Sequence, residues 1–268
     1  MVRARHGLGM TALHRGLVGV LDQTPGFLAQ WLRSSAPTTR LLRPVVNAAV
    51  PDREVAVRVR SGLGAGLRLP ILPRSEKYYW TGVHERHVQE TLADLLRPGM
   101  TFWDVGAHIG FFSLLAARLV GSTGHVEAFE PFPPNRVRLG RSIQLNQATA
   151  VSIHPVALAA ASATAAFHPG SSSLMGSLVP AVGSASMPVR CIRADDAIRS
   201  IPAPDVVKID AEGAELEVLR GAGRMLATVR PTVLIELTSR DMLAEIRQLA
   251  PAYRIASIGA SHWVLAPT

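Results

Sequence analysis

The chain has 268 residues, 48% apolar and 18% charged, a balance that excludes a disordered protein and allows one full α/β domain with an extension. Its formal charge of +8 is uneven: residues 1–60 hold nine Arg and three acids, so +6 lies there and only +2 in the remainder. A single cysteine, Cys191, excludes an internal disulfide and a cysteine-based metal cluster, and fits a reducing, cytoplasmic setting.

Arg3, Arg5 and His6 open the sequence, but His14 and Arg15 interrupt the apolar residues that follow, so no signal peptide is expected. No apolar run reaches the roughly 18 residues that a membrane helix requires. Between Leu8 and Val50 apolar residues recur at helical spacing, broken at Pro25, Pro37 and Pro44, which predicts two or three short helices. The arginines there suit a solvated helical arm, or a surface for peripheral contact with anionic lipid; no nucleic-acid partner is expected.

From Glu54 to Leu72 the rhythm changes. Val55, Val57 and Val59 alternate with charged residues, glycines follow at 62, 64 and 66, and Leu67, Leu69 and Ile71 alternate again, which predicts a hairpin. Beyond Pro98 and Gly99, strands and helices alternate. The strands are expected at Thr101–Val105, His125–Glu130, Ala150–His154, Val206–Asp210 and Thr232–Leu237, and the helices at Gly110–Val120, Asn135–Asn146, Ala214–Leu219 and Ser239–Leu249. Short apolar strands separated by helices predict a parallel sheet covered on both faces. Tyr253–Ile258 and His262–Leu265, around Gly259, predict a closing antiparallel pair. The stretch from Ala157 to Ser186 is rich in Ala and Ser and carries no clear pattern. These boundaries divide the chain into a helical and hairpin extension, 1–75, and an α/β domain, 76–268.

The run DVGAHIG, at residues 104–110, carries the first chemical signal. Ligands of open parallel sheets sit beyond the carboxyl ends of the strands, and Gly106 and Gly110 keep this strand end free of side-chain bulk. G-x-G-x-x-G is absent, because His108 stands where its second glycine would fall. Asp104 would repel a dinucleotide's pyrophosphate, whereas the ammonium and sulfonium groups of S-adenosylmethionine are attracted to a carboxylate. Glu130 ends the next strand and is able to accept both ribose hydroxyl hydrogens of an adenosine ligand. Pro131, Pro133 and Pro134 stop that strand at once and stiffen the turn behind Glu130.

The runs DVGAHIGFFSLLAA, HVEAFEPFPPNRVRLGRSIQLN, VSIHPVAL, VVKIDAEGAELEVLRGA and PTVLIEL occur in this order, and over about residues 76–240 the chain resembles the FkbM family of S-adenosylmethionine-dependent methyltransferases. The resemblance implies a class I methyltransferase fold, Rossmann-like, with a mostly parallel seven-stranded sheet whose last strand is antiparallel. It implies methylation of a hydroxyl oxygen on a sugar or natural-product acceptor. Carried over by position, Asp104, Gly106, His108 and Gly110 form the loop at the methionine end, and Glu130 with Pro131 the ribose end. His108 departs from the asparagine usual in that loop. After the third strand stand only Val156, Ala157 and Leu158, so adenine is expected to be held by backbone groups and apolar packing.

In that fold the strand ending in KIDAEGAE lies next to the first, beside the reactive methyl group. Strand alternation sends Lys208 and Asp210 to one face. Asp210 is the expected acceptor-orienting residue or general base, with Glu236 as second candidate and Lys208 alongside; Glu212 reads as a helix-start charge and Glu215 as a surface helix residue. The oxygen donors Asp195, Asp196, Asp210 and Glu236 match no metal-binding spacing, and no metal is expected. Two other readings are a nicotinamide-dependent oxidoreductase, opposed by Asp104 and the missing glycine, and a non-catalytic basic adapter or membrane-surface protein, opposed by the presence of both Asp104 and Glu130. The segment around His168, Gly170 and Ser171–Ser173 has the composition of a loop over the acceptor site.

Overall fold

The structure, a computed structural model, describes residues 53–169, 176–177 and 186–268. The helices expected between Leu8 and Val50, and the serines at 171–173, lie outside the described residues. The chain enters through an antiparallel hairpin, β1 (Val55–Arg58) and β2 (Arg68–Ile71), in which Val55 faces Ile71 and Val57 faces Leu69. Leu67, Leu69 and Ile71 are buried in one cluster with Phe102, Phe111 and Leu114. The hairpin, assigned by its pattern to the extension, therefore shares the core of the α/β domain. Two helices follow, α1 (Lys77–Thr81) and α2 (Arg86–Leu95).

Strands and helices then alternate as the pattern predicts: β3 (Thr101–Val105), α3 (Phe111–Val120), β4 (His125–Phe129), α4 (Pro133–Asn146) and β5 (Val151–His154). All five residues of β3 are buried, as a strand covered on both faces must be. Helix α4 begins with two prolines, whose missing N–H groups cost nothing at the first turn of a helix.

The Ala/Ser-rich stretch contributes a separate four-stranded sheet: β6 (Ala157–Leu158), β7 (Ala163–Pro169), β8 (Gly176–Ser177) and β9 (Met187–Ile192), in the order β6-β9-β7-β8. Alanine is a weak strand former, so β7 owes its form to pairing with β9, where Ala165 faces Val189 and Phe167 faces Met187. His168 is in β7, not in a loop.

After a short helix, α5 (Ala194–Ala197), come β10 (Val206–Ile209), α6 (Glu215–Arg220), α7 (Gly223–Thr228), β11 (Thr232–Glu236), α8 (Met242–Leu249), β12 (Tyr253–Ser257) and β13 (His262–Pro267). The main sheet has seven strands in the order β12-β13-β11-β10-β3-β4-β5. Neighbours from β11 to β5 run parallel, and β13 is antiparallel to both β11 and β12. This is the class I methyltransferase arrangement, with the last strand of the chain reversed. Strand order reverses beside β3: the chain runs from β3 to β4 and β5 on one side and later returns to β10 on the other. A ligand crevice is expected at the carboxyl ends of β3 and β10.

Candidate active site

A cavity of about 260 Å³ lies at that reversal point. One end is walled by Phe129, Glu130, Pro131, Ala157, Leu158 and Phe167, and the other by Tyr78, Tyr79, His84, Glu85, Asp210 and Glu236, with Gly106, His108 and Glu212 also on its wall. Among the described residues lining it there is no lysine or arginine.

The loop after β3 is shaped by glycine for a steric reason. Gly106 has φ +83°, and a Cβ there would fall 1.8 Å from the carbonyl oxygen of Asp210. The turn is thus locked against the end of the neighbouring strand. At Gly110, with φ +88°, a Cβ would fall 2.4 Å from Leu139 Cδ1, so the glycine lets α4 close on the start of α3.

Asp104 is not on the cavity wall. It is fully buried beneath the loop, where Oδ2 accepts a hydrogen bond from Ser113 Oγ at 2.5 Å. Its Oδ1 has no hydrogen-bond partner among the described residues. Burial raises the pKa of this carboxyl, against the opposing pull of Lys208 and Ser113.

Glu130 does reach the wall. Its Oε2 accepts from the backbone N–H of His108 and its Oε1 from that of Phe132, both at 2.8 Å. Burial pushes its pKa up to about 7 despite these bonds. Arg136 donates to the carbonyls of Glu130 and Pro131 and so holds the proline turn in place. His108 adopts φ +51°, and the Tyr79 hydroxyl lies 3.1 Å from its Nδ1. Burial raises the Tyr79 pKa well above its ordinary value, so the phenol stays protonated, and His108 Nε2 lies 3.9 Å from Glu76 Oε1.

At the other end, Lys208 and Asp104 are register partners on β10 and β3. Lys208 Nζ lies 2.9 Å from Asp210 Oδ2 and 4.9 Å from the centre of the Phe112 ring. Burial would lower the lysine pKa, but Asp210, Asp104 and Glu85 together raise it, so the amine is charged. Glu212 sits at φ +50° between β10 and α6, and its pKa rises to about 7 through burial and then repulsion from Asp210, Glu236 and Glu215. The pKa of Glu236 is raised by burial and by Asp210. Glu215 faces inward: it is buried and accepts from the backbone N–H groups of Ala211 and Gly213, bracing the turn that carries Glu212.

Helices α1 and α2 supply the residues that the sequence patterns missed. Tyr78 and Tyr79 pack around the His84 ring at centroid distances of 4.8 and 4.5 Å, and burial lowers the His84 pKa to about 4, so this imidazole is neutral at neutral pH. Glu85 has φ +41° at the start of α2. Burial opposes its ionisation, but His262, His84 and Lys208 bring its pKa down to about 2. The one sequence hint was the aromatic cluster KYYW. Of the oxygen donors considered for a metal, Asp195 instead accepts from the backbone N–H groups of Arg224 and Met225 and Asp196 from Ser162 Oγ, while Asp210 and Glu236 face the cavity.

Residues 104–254 match the methyltransferase FkbM domain. The chain belongs to the FkbM methyltransferase family. The domain it carries is that of S-adenosylmethionine-dependent methyltransferases. The chain is 30% identical over 155 residues to the hexuronic acid methyltransferase AglP of Haloferax volcanii, an alignment that covers 57% of this chain and 62% of AglP. It therefore spans less than two thirds of that relative. Among solved structures it is similar to methyltransferase FkbM from Methylobacillus flagellatus KT, at 20% identity and TM-score 0.47 over 66% of this chain and 50% of that one. It is also similar to Aeropyrum pernix fibrillarin in complex with natively bound S-adenosyl-L-methionine, at 12% identity and TM-score 0.42 over 64% of this chain and 67% of that one. The fold assignment rests on the strand order rather than on these two likenesses.

The cavity of this FkbM methyltransferase has two features that a nucleoside ligand requires. A buried carboxyl, Glu130, stands on its wall, and Phe129, Leu158 and Phe167 give that wall apolar surface, while Asp104 lies beneath it. Among the described residues, no helix is long and apolar enough to cross a membrane.

Proposed function

We propose that this methyltransferase acts on a hydroxyl oxygen of a neutral sugar, or of a sugar-bearing natural product, in the cytoplasm. The observation that carries the reading is the composition of the acceptor end: Glu85, Asp210, Glu212 and Glu236 are on the wall, and the one lysine beside them, Lys208, is buried behind it and paired with Asp210, so that among the described lining residues acids outnumber bases. Such a wall accepts hydrogen bonds from hydroxyl groups and repels an anionic acceptor. The relative named as a hexuronic acid methyltransferase supports the sugar class.

Bound S-adenosylmethionine supplies a sulfonium-borne methyl group that an oxygen nucleophile displaces in line. In this reading Glu130 and the Pro131 turn hold the ribose, and the loop Gly106–Gly110 over Asp104, including His108, holds the methionine end. Asp210 orients the acceptor hydroxyl, its carboxylate fixed by Lys208. Asp210 is already held by Lys208, and proton removal falls to Glu212, whose pKa burial and neighbouring carboxylates push up to about 7, with Glu236 as second candidate. Placement alone contributes on the order of 7–11 kcal/mol to such a transfer.

The test is a product assay by mass spectrometry with S-adenosylmethionine and matched neutral hexosides, uronic acids and amino sugars. Methylation of neutral hexosides on oxygen is expected. Products confined to the uronate carboxyl group or to nitrogen would overturn the reading.

A further inference from the structure

Glu236 ends β11, and the antiparallel register places His262 of β13 directly opposite it. Side chains paired in this way share a face, and the start of α2 brings Glu85 to the same point. His262 Nε2 lies 3.4 Å from Glu85 Oε2 and 3.9 Å from Glu236 Oε2, and one donor atom from each of the three residues falls within 4.8 Å of the others.

The hydrogen-bond pattern fixes which nitrogen faces this point. Ser261 Oγ donates its hydrogen to Glu236 Oε1 at 3.0 Å and lies 3.2 Å from His262 Nδ1, so it accepts from Nδ1–H. Nε2 then faces two carboxylate oxygens, and it meets them with an N–H when the ring is protonated or with a lone pair when a metal ion takes the proton's place. His262 is only 6% exposed, and neither its Nε2 nor Glu85 Oε2 has a hydrogen-bond partner among the described residues. Two carboxylate oxygens converging on one buried imidazole nitrogen call for positive charge among them, which a proton on Nε2 or a metal ion supplies. Lys208 is taken up by Asp210 at 2.9 Å. The imidazole is held edge-to-face by His87 at a centroid distance of 4.6 Å, which presets its direction.

We propose that Glu85, Glu236 and His262 form a divalent-cation site, of the manganese or magnesium class, at the acceptor end of the cavity. Two carboxylates with one imidazole suit such ions, and the three donors need only draw together slightly, because oxygens and nitrogens bound at about 2.0–2.2 Å stand roughly 3 Å apart. Glu85 and Glu236 both line the cavity, so the ion's remaining positions open towards it. There it would draw acceptor oxygens towards Asp210 and Glu212. That role rests on the proposed sugar acceptor; the site itself does not.

The experiment is titration of the full chain with manganese, followed by loss of the electron paramagnetic resonance signal of the hydrated ion, in the wild type and in Glu85→Gln and His262→Ala. S-Adenosylhomocysteine binding serves as the check that each variant is folded. One saturable site per chain is expected, with affinity falling about tenfold or more in each folded variant. No saturation below about 1 mM, or undiminished binding in a folded variant, would overturn the proposal. Manganese bound at this site by a protein that methylates no sugar would uphold the site and remove the acceptor reading. Sugar methylation by a protein that binds no manganese would do the reverse.

Discussion

Lys208 Nζ and Asp210 Oδ2 lie 2.9 Å apart on side chains that leave one face of the same strand end, with the lysine buried and the aspartate on the cavity wall. The pair fixes a carboxylate where the acceptor hydroxyl is proposed to dock. Asp210→Asn keeps the shape and removes the charge. Turnover should fall by about 10²-fold or more, while S-adenosylhomocysteine affinity stays within a few fold. Steady-state kinetics and calorimetry on the same preparation check both. Unchanged turnover would remove Asp210 from the reaction.

The acid limb of the pH–rate profile should separate two carboxyls of similar pKa. Glu130 and Glu212 both titrate near pH 7 in the free protein because burial penalises their charged forms. Ribose hydroxyls favour ionised Glu130, so its pKa should fall once the cofactor is bound, leaving Glu212 to set the limb seen in kcat at saturating cofactor. Glu212→Gln should lower kcat and flatten that limb; a limb that persists unaltered would assign it to another group.

Stability should respond to pH in a definite direction. A carboxyl whose folded pKa is raised holds its proton in the native state between about 4.5 and 7 while the unfolded chain has released it, so stability falls as pH rises through that window. Glu85, pulled down to about 2, acts oppositely: its stabilisation is complete above about 4.5 and is lost as pH drops towards 2. Thermal melting should therefore show a maximum near pH 5, and Glu130→Gln should shrink the decline between pH 5 and 7. A melting temperature that climbs steadily from pH 5 to 8 would contradict the burial of Glu130.

A buried ion pair joins the first helices to α4. Arg138 donates to both carboxylate oxygens of Glu76 and, through Nε and Nη2, to the carbonyl of Pro70 at 3.1 and 2.7 Å. Glu76 is fully buried, so Arg138→Met would strand a charge and cost about 3–5 kcal/mol. Adding Glu76→Gln to Arg138→Met should recover part of that loss. Denaturant unfolding measures both, and a single variant as stable as the wild type would show the pair to be dispensable.

The strands were legible because parallel strands buried on both faces are nearly continuous apolar runs, and Thr101–Val105 appears just as its residues suggest. The two glycines were legible too, although the reason for Gly106 is the Asp210 carbonyl packed against it, a contact between residues 104 positions apart. Strand β7 was hidden by its alanines and is stabilised by a partner lying beyond residues 170–175. Asp104 was expected to face the cofactor, but strand alternation turns its side chain into the interlayer with Ser113 and Lys208. Glu85 and His262 were invisible because 177 positions separate them and only the closing of β13 against β11 brings them together. Local pattern reports which residues form elements; convergence on a site from three distant elements leaves no local trace.

The assignment of Glu130 as the ribose-binding acid is tested most directly by calorimetric titration of S-adenosylhomocysteine and NADH into the wild type and Glu130→Ala. The account predicts one S-adenosylhomocysteine per chain, no measurable NADH binding, and an affinity about tenfold or more weaker in the folded variant, consistent with loss of hydrogen bonds to a charged acceptor. Equal S-adenosylhomocysteine affinity in both proteins would contradict it.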